Sequence, residues 1–199
     1  ATSRARLSSS ITFQRKPWHT GAKSQGASDA VGGSAGAKPP GLNMTDVFIL
    51  GGARTPMTEY TGALKDVSAL DLGATAAKAT FDRTGVKPEW IDHAVFGKVM
   101  QTSSDAIYGA RHVALKAGVP IEVPALTVNR LCGSGIQAAV SGAQLIQLGE
   151  ADIVLTGGIE NMSQAPHVIR GLRSGLRLGQ GKVQGYLYEG LLDPYCGVF

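Results

Sequence analysis

Residues 125–158 read ALTVNRLCGSGIQAAVSGAQLIQLGEADIVLTGG, and this stretch decides the fold. ALTVN (125–129) is a short apolar run with β-branched residues and predicts a strand. Residues 133–148 lie between Gly133 and Gly149 and are long enough for a helix. DIVLTGG (152–158) predicts a second strand that ends in glycines. Two strands joined by a helix imply parallel pairing through a crossover. From Leu131 to Gly149 no residue is charged. A helix without a charged face is usually buried on more than one side. One sheet covers one side, and the chain offers no obvious second layer for the other.

The same alternation continues upstream. DVFIL (46–50), ended by Gly51 and Gly52, predicts a buried strand. SALDLGATAAKATFDRTG (68–85) has Leu70, Ala74, Ala77 and Phe81 at helical spacing, with Ser68 and Asp71 as a capping pair. HAVFGKVM (93–100) predicts a strand, and DAIYGARHVALKAG (105–118) a helix opened by Asp105 and closed by Gly118. The order β-α-β-α-β-α-β predicts an α/β fold, a mainly parallel sheet with helices on both faces. Ligands of such sheets meet the carboxyl ends of the strands, where both Asn129–Cys132 and Gly157–Gly158 fall. After Ile159 the pattern weakens into a Gly-, Arg- and aromatic-rich excursion.

With 199 residues, 43% hydrophobic and 17% charged, the chain has an ordinary globular composition. No run reaches the roughly 18 apolar residues of a membrane-spanning helix, so a membrane is not expected as partner. The net charge of +4 is misleading. Residues 1–43 hold six basic residues and one acidic, while the remainder holds 13 basic and 14 acidic. The basicity belongs to the leader and gives no reason to expect nucleic acid as a partner. Residues 1–43, rich in Gly, Ala and Ser, read as a disordered and dispensable basic leader. The first 28 lack any acid, as an organelle-targeting peptide would; an extraneous leader fits equally. Two cysteines are too few for a disulfide framework, which points to a reducing compartment.

Cys132, before Gly133-Ser134-Gly135, is the candidate nucleophile. A strand ending near Asn129 and a helix starting near Gly133 put its sulfur at a helix N-terminus. Unpaired N–H groups and the positive end of the dipole there stabilise negative charge on sulfur. The glycines clear the approach, and the same N–H groups could hold an oxyanion. The blander reading, a small buried hydrophobe, is common for free cysteine; placement alone leaves the two balanced.

RLCGSGIQAAVSGAQLIQLGEADIVLTGGIENMSQAPH (130–167) resembles the thiolase family, where the nucleophilic cysteine lies in N-x-x-C-x-S-G-x-Q-A. A G-G-x-E-x-M-S turn follows, here Gly157 to Ser163. GARTPMTEYTGAL (52–64) is similar to the family's first strand-loop, and SSDAIYGARHVALKAGVP (103–120) to the helix before the nucleophile strand. The likeness is greatest to the 3-ketoacyl-CoA thiolase branch. It implies a thiolase-like N-terminal domain over 44–160 and the truncated start of a loop domain over 161–199. It also implies an acyltransferase that forms or cleaves 3-ketoacyl-CoA, by acetyl-CoA condensation or thiolysis, through an acyl-Cys132 intermediate. Coenzyme A thioesters would be substrates, with no permanently bound cofactor, and the full-length protein a homodimer or homotetramer. The location would be cytoplasmic, as in bacteria, or mitochondrial if 1–43 is a transit peptide. The family's second half, with its G-H-P histidine, N-E-A-F asparagine and C-x-G cysteine, has no counterpart among the 199 residues. The reading is therefore an amino-terminal fragment, inactive alone, whose missing half would cover the uncharged helix.

Two other readings compete: a non-catalytic thiolase-fold oligomerisation module, and a ketoacyl synthase relative. Cys196, in DPYCGVF, matches the loop region and takes no acid/base role. His19, His93, His112 and His167 have no spaced partner set, so no metal site is expected. His112 reads as packing or surface, and His167 as a weaker candidate for substrate contact. Arg170, Arg173 and Arg177 could meet CoA phosphates but read first as a solvated face.

Overall fold

The computed structural model describes residues 9–15, 46–179 and 181–198; of 9–15 it describes the backbone and the Thr12 side chain. The elements in chain order are β1 (Ser9–Arg15), β2 (Val47–Arg54), α1 (Ala69–Thr84), β3 (His93–Gly97), α2 (Gly109–Ala117), β4 (Ala125–Val128), α3 (Ser134–Leu148) and β5 (Ile153–Gly158). A smaller unit follows: β6 (His167–Ile169), β7 (Val183–Gly185) and α4 (Tyr186–Leu191).

Local sequence sets the helix ends. Ser68 caps α1 by accepting the Asp71 N–H, and Gly85 closes it in the left-handed conformation at φ 71°. Gly118 and Gly149 close α2 and α3 in the same way. The start of α2 differs from expectation. A 3-10 turn at Ala106–Tyr108 precedes it, and the Asp105 side chain makes no cap. That carboxylate is engaged by Ser103 Oγ and His112 Nδ1 instead.

The main sheet has the order β2-β1-β5-β3-β4. β3 runs parallel to β4 and β5; β1 runs antiparallel to β2 and β5. Right-handed crossovers then dictate the layers. The connections β2–α1–β3 and β3–α2–β4 move one way across the sheet, and β4–α3–β5 moves back. So α1 and α2 lie on one face and α3 on the other. The core divides accordingly. Leu70, Phe81, Val113 and Ala117 pack with Phe96 and Leu155 on the first face. Ala138 and Ile146 of α3 pack with Val95 and Val154 on the second.

Two expectations fail here. Residues 9–15 are not part of a disordered leader: they form β1, inside the sheet. Among the described residues they are the only strand paired with β2, which argues against dispensability. The alternation of Ser10, Thr12 and Gln14 with Ile11 and Phe13 is a strand signal, diluted in a 43-residue composition. The rest of the 1–43 reading lies outside the described residues. β2, expected to be buried, is an edge strand that exposes Phe48, Ile49 and Leu50. Edge position is a tertiary property that an apolar run cannot announce.

Candidate active site at the Cys132 turn

β3, β4 and β5 point their carboxyl ends the same way, and the chain leaves β4 there into the turn Asn129–Gly133. Asn129 Oδ1 accepts the Leu131 N–H at 3.0 Å. Ser134 Oγ accepts the Arg130 N–H at 2.8 Å and donates to the Leu131 carbonyl at 2.6 Å. Arg130 Nη1 donates to Gln137 Oε1 at 2.6 Å, on the first turn of α3. Leu131 is held at φ 47°, where a branched side chain is strained. The turn presents Cys132, exposed, one residue before the helix N-cap Gly133.

The start of α3 sits directly on the strand ends. A Cβ at Gly97 would lie 2.4 Å from the Ser134 carbonyl carbon and 2.7 Å from Gly135 N. One at Gly158 would lie 3.3 Å from Gly135 Cα. Only glycine at the end of β3 allows this approach. The sequence therefore places Cys132 by two means: side-chain hydrogen bonds that shape the turn, and bare backbone beneath the helix.

The outer side of α3 is uncovered. Leu131, Ile136 and Leu148 are 65%, 76% and 73% exposed. The uncharged helix thus packs on the sheet with one face and shows the other to solvent.

A second polar group went unnoticed in the sequence. Lys98, just past β3, is fully buried, and its Nζ lies 3.9 Å from Glu160 Oε1. Glu160 Oε2 accepts the N–H groups of Val99 at 2.9 Å and Met100 at 3.2 Å. Burial pushes the Lys98 ammonium below its ordinary pKa, against the pull of Glu160 and Asp105. Burial likewise raises the Glu160 carboxyl, opposed by the Val99 N–H, Lys98 and the Met100 N–H. Lys98 packs towards Gly109 of α2, on the face opposite α3. The pair therefore fastens the ends of β3 and β5 rather than attending Cys132. Next to it, Asn161 Nδ2 donates to the carbonyls of Leu64 and Val67, anchoring the loop before α1.

The remaining candidates scatter. His112 stacks on Tyr108 and bonds Asp105 at 3.1 Å, a packing role. His93 begins β3, and His167 is exposed in β6 opposite Gly185; His19 lies outside the described residues. Arg170 is paired with Glu189 at 2.5 Å. Arg173 lines an open cavity of about 490 Å³ with Ile169, Gly171 and Leu172, away from the Cys132 turn. Cys196 is exposed near the carboxyl end. Among the described residues no three His, Cys, Asp or Glu side chains cluster to hold a metal, and no helix is long and apolar enough to cross a membrane.

Comparison with known proteins fits this geometry. The family model described as "Thiolase, N-terminal domain" matches residues 47–199. Human mitochondrial 3-ketoacyl-CoA thiolase is 50% identical over 150 residues, covering 75% of this chain and 38% of that protein. An acetyl-CoA acetyltransferase of Cupriavidus necator is 45% identical over 153 residues, covering 76% and 39%. The crystal structure of the human enzyme in complex with CoA superposes with a TM-score of 0.72 over 73% of this chain and 37% of that one. The Bacillus anthracis acetyl-CoA acetyltransferase superposes at 0.68 with 37% identity, over 71% and 36%. The chain thus spans under two-fifths of the length of these relatives. The thiolase-like α/β fold expected from the sequence is the one observed, and the chain belongs to the thiolase family, carrying that family's N-terminal domain.

Proposed function

We propose that the protein is a thiolase-type acyltransferase that forms or cleaves 3-ketoacyl-CoA, with Cys132 as nucleophile. The carrying observation is the exposed Cys132 held at the start of α3, at the carboxyl ends of three parallel strands. In the forward reaction the sulfur attacks an acyl-CoA carbonyl, CoA leaves, and acyl-Cys132 forms. The N–H groups of Gly133 and Ser134 already donate to the Arg130 and Leu131 carbonyls, so the developing oxyanion would draw on the remaining N–H groups of the turn and helix start. A second acetyl-CoA, deprotonated at its methyl carbon, then attacks the thioester and releases the thiolate. Coenzyme A thioesters as substrates are supported by relatives named for such reactions and by the CoA complex of the human enzyme.

Residues 44–160, with β1 (Ser9–Arg15) paired into their sheet, act as the catalytic α/β domain and 161–199 as the opening of a loop domain. Proton transfer belongs to a second half, and this chain alone is inactive. The exposed apolar side of α3 and the short span of the relatives covered both support that reading. Full-length protein would form homodimers or homotetramers. The acid-free first 28 residues and the mitochondrial relatives support a mitochondrial location, with a targeting signal that stays attached because residues 9–15 form β1 of the sheet.

The test is intact-mass and peptide mapping after incubation with acetyl-CoA. One acetyl group should appear on Cys132 and vanish in Cys132→Ser, while steady turnover stays low. General acid–base groups typically supply about 10²–10⁴-fold each. Acetylation of Cys196 alone would overturn the assignment of the nucleophile. Normal turnover by this chain alone would overturn the fragment reading and favour another base.

A further inference from the structure

The placement of β1 poses a problem that the family assignment sharpens. β1 lies between β2 and β5, antiparallel to both, and among the described residues β2 has no other strand neighbour. Yet the family match begins at residue 47, so the strand in the middle of this sheet lies outside what the chain shares with the family. Relatives that keep β2 and β5 in this arrangement cannot leave the space between them empty. Two facing rows of backbone N–H and C=O groups would go unpaired in the interior. Those proteins extend far beyond the matched part, which leaves ample chain to supply such a strand.

The connection in this chain is unusual in the same sense. Arg15 pairs directly with Val47, so the two strand ends abut. A two-residue turn would join them, yet residues 16–46 intervene. Covalent attachment, even across a long intervening stretch of sequence, keeps β1 at high effective concentration beside its site. The fit is also imperfect. The register slips between Thr12 and Phe13, where Gly51 and Ile49 are paired and Leu50 is passed over. Thr12 Oγ1 is buried without a hydrogen-bond partner.

We propose that the cleft between β2 and β5 is a strand-binding site, and that residues 9–15 are a self-supplied substitute for the strand that relatives draw from the rest of their chain. The occupant is an extended segment of six or seven residues, antiparallel to β5, paired from Ile153 to Gly158. An apolar side chain suits the position of Thr12 better than a hydroxyl. β1 thereby completes the sheet in this chain, and a better-fitting strand can replace it.

The experiment uses the full chain with a site-specific protease sequence inserted between Gly33 and Ser34. After cutting, the amino-terminal piece should stay with the remainder on gel filtration, and the thermal transition should persist. Fluorescein-labelled synthetic peptide of residues 9–15 should then bind the cut chain and release the piece. Half-saturation of the uncut chain should need at least about tenfold more peptide, because the tethered strand competes at high effective concentration. A peptide carrying Thr12→Val should bind the cut chain more tightly than the natural one. Release of the piece on cutting with an unchanged transition would overturn the proposal. Equal binding of peptide to cut and uncut chain would also do so, since the peptide would then sit elsewhere. Acyl transfer is not read out, so failure here is separate from failure of the Cys132 assignment.

Discussion

Replacing Gly97 by Ala tests how the sheet places the nucleophile turn. The added Cβ would meet the Ser134 carbonyl carbon at 2.4 Å, its oxygen at 2.5 Å and Gly135 N at 2.7 Å. Carbon contacts are comfortable near 3.5–4.0 Å. All three atoms are backbone at the start of α3, so no side chain can swing aside. The helix start must lift by about 1 Å, a distance set by that contact range. Overpacking of this kind costs about 1–3 kcal/mol, and the stiff neighbours put Gly97→Ala towards the upper end. Alanine returns about 0.4–1 kcal/mol by restricting the unfolded chain. A net loss of about 2 kcal/mol lowers the thermal midpoint by about 4–8 °C for a chain of this size. Lifting the helix start also displaces the turn that carries Cys132, whose Arg130 N–H and Leu131 carbonyl are held by Ser134 Oγ. Thermal unfolding by circular dichroism reads the first effect. Iodoacetamide labelling with peptide mapping reads the second, with Cys196 as internal reference because both thiols are exposed. In the parent chain Cys132 should react faster; in Gly97→Ala its rate should fall towards that of Cys196. A midpoint within 1 °C of the parent (inside the error of the roughly 2–4 °C per kcal/mol conversion) together with an unchanged labelling ratio would refute the close approach and the role given to it.

Ser134→Ala removes the oxygen that takes the Arg130 N–H and gives to the Leu131 carbonyl. Urea titration should show a loss of about 1–2 kcal/mol, with faster amide exchange at Arg130. Lys98→Met leaves Glu160 buried without its cation, held by the N–H groups of Val99, Met100 and Asn161, and should cost about 3 kcal/mol, the low end for breaking a buried pair. Adding Glu160→Gln should recover much of that loss in a double-mutant cycle. The Glu160 carboxyl is raised by folding, so it favours the native state in acid. That contribution is complete below its unfolded pKa near 4.3 and fades as pH rises through the folded value. Glu160→Gln should remove this fall from a pH series of unfolding free energies. Thr12→Val exchanges an unpartnered buried hydroxyl for a methyl and should stabilise the chain by about 1 kcal/mol; a destabilisation on the same titration would mean that the hydroxyl has a partner.

Where local chemistry decides structure, the sequence was readable. Ser68, Asp71 and Gly85 bound α1 because caps act within one turn, and Leu70, Ala74, Ala77 and Phe81 are all buried as their spacing predicts. The turn at Cys132 follows from a strand, two glycines and a helix in succession. Failures began where partners are distant in sequence. β1 is defined by pairing with β5, far down the chain, and a composition window cannot see that pairing. The exposure of Phe48, Ile49 and Leu50 follows from β2 lying at an edge. Lys98 and Glu160 meet only because β3 and β5 are neighbours. A lysine inside the apolar run HAVFGKVM was the available signal, since a buried ammonium demands a carboxylate. Glu160 stood in the G-G-x-E-x-M-S turn without a role until its hydrogen bonds to Val99 and Met100 were visible.

The two faces of the sheet are finished to different degrees, and the proposed nucleophile Cys132 lies on the unfinished one. Beneath α1 and α2 the core is closed, with Leu70, Phe96, Val113 and Leu155 fully buried. Over α3 the first layer is in place, but Leu131 and Ile136, which flank Cys132 in sequence, stand in water. In that setting, solvent screens the field of the helix start at the sulfur. A second layer against α3 would bury those apolar side chains and exclude water from the thiol at the same time. The same N–H groups would then act in a lower dielectric, where electrostatic stabilisation of an oxyanion is worth far more. Under the proposed function, burial of the uncharged helix face and activation of Cys132 would thus be one physical event. This is why a helix without a single charged residue is consistent with the start of a catalytic one.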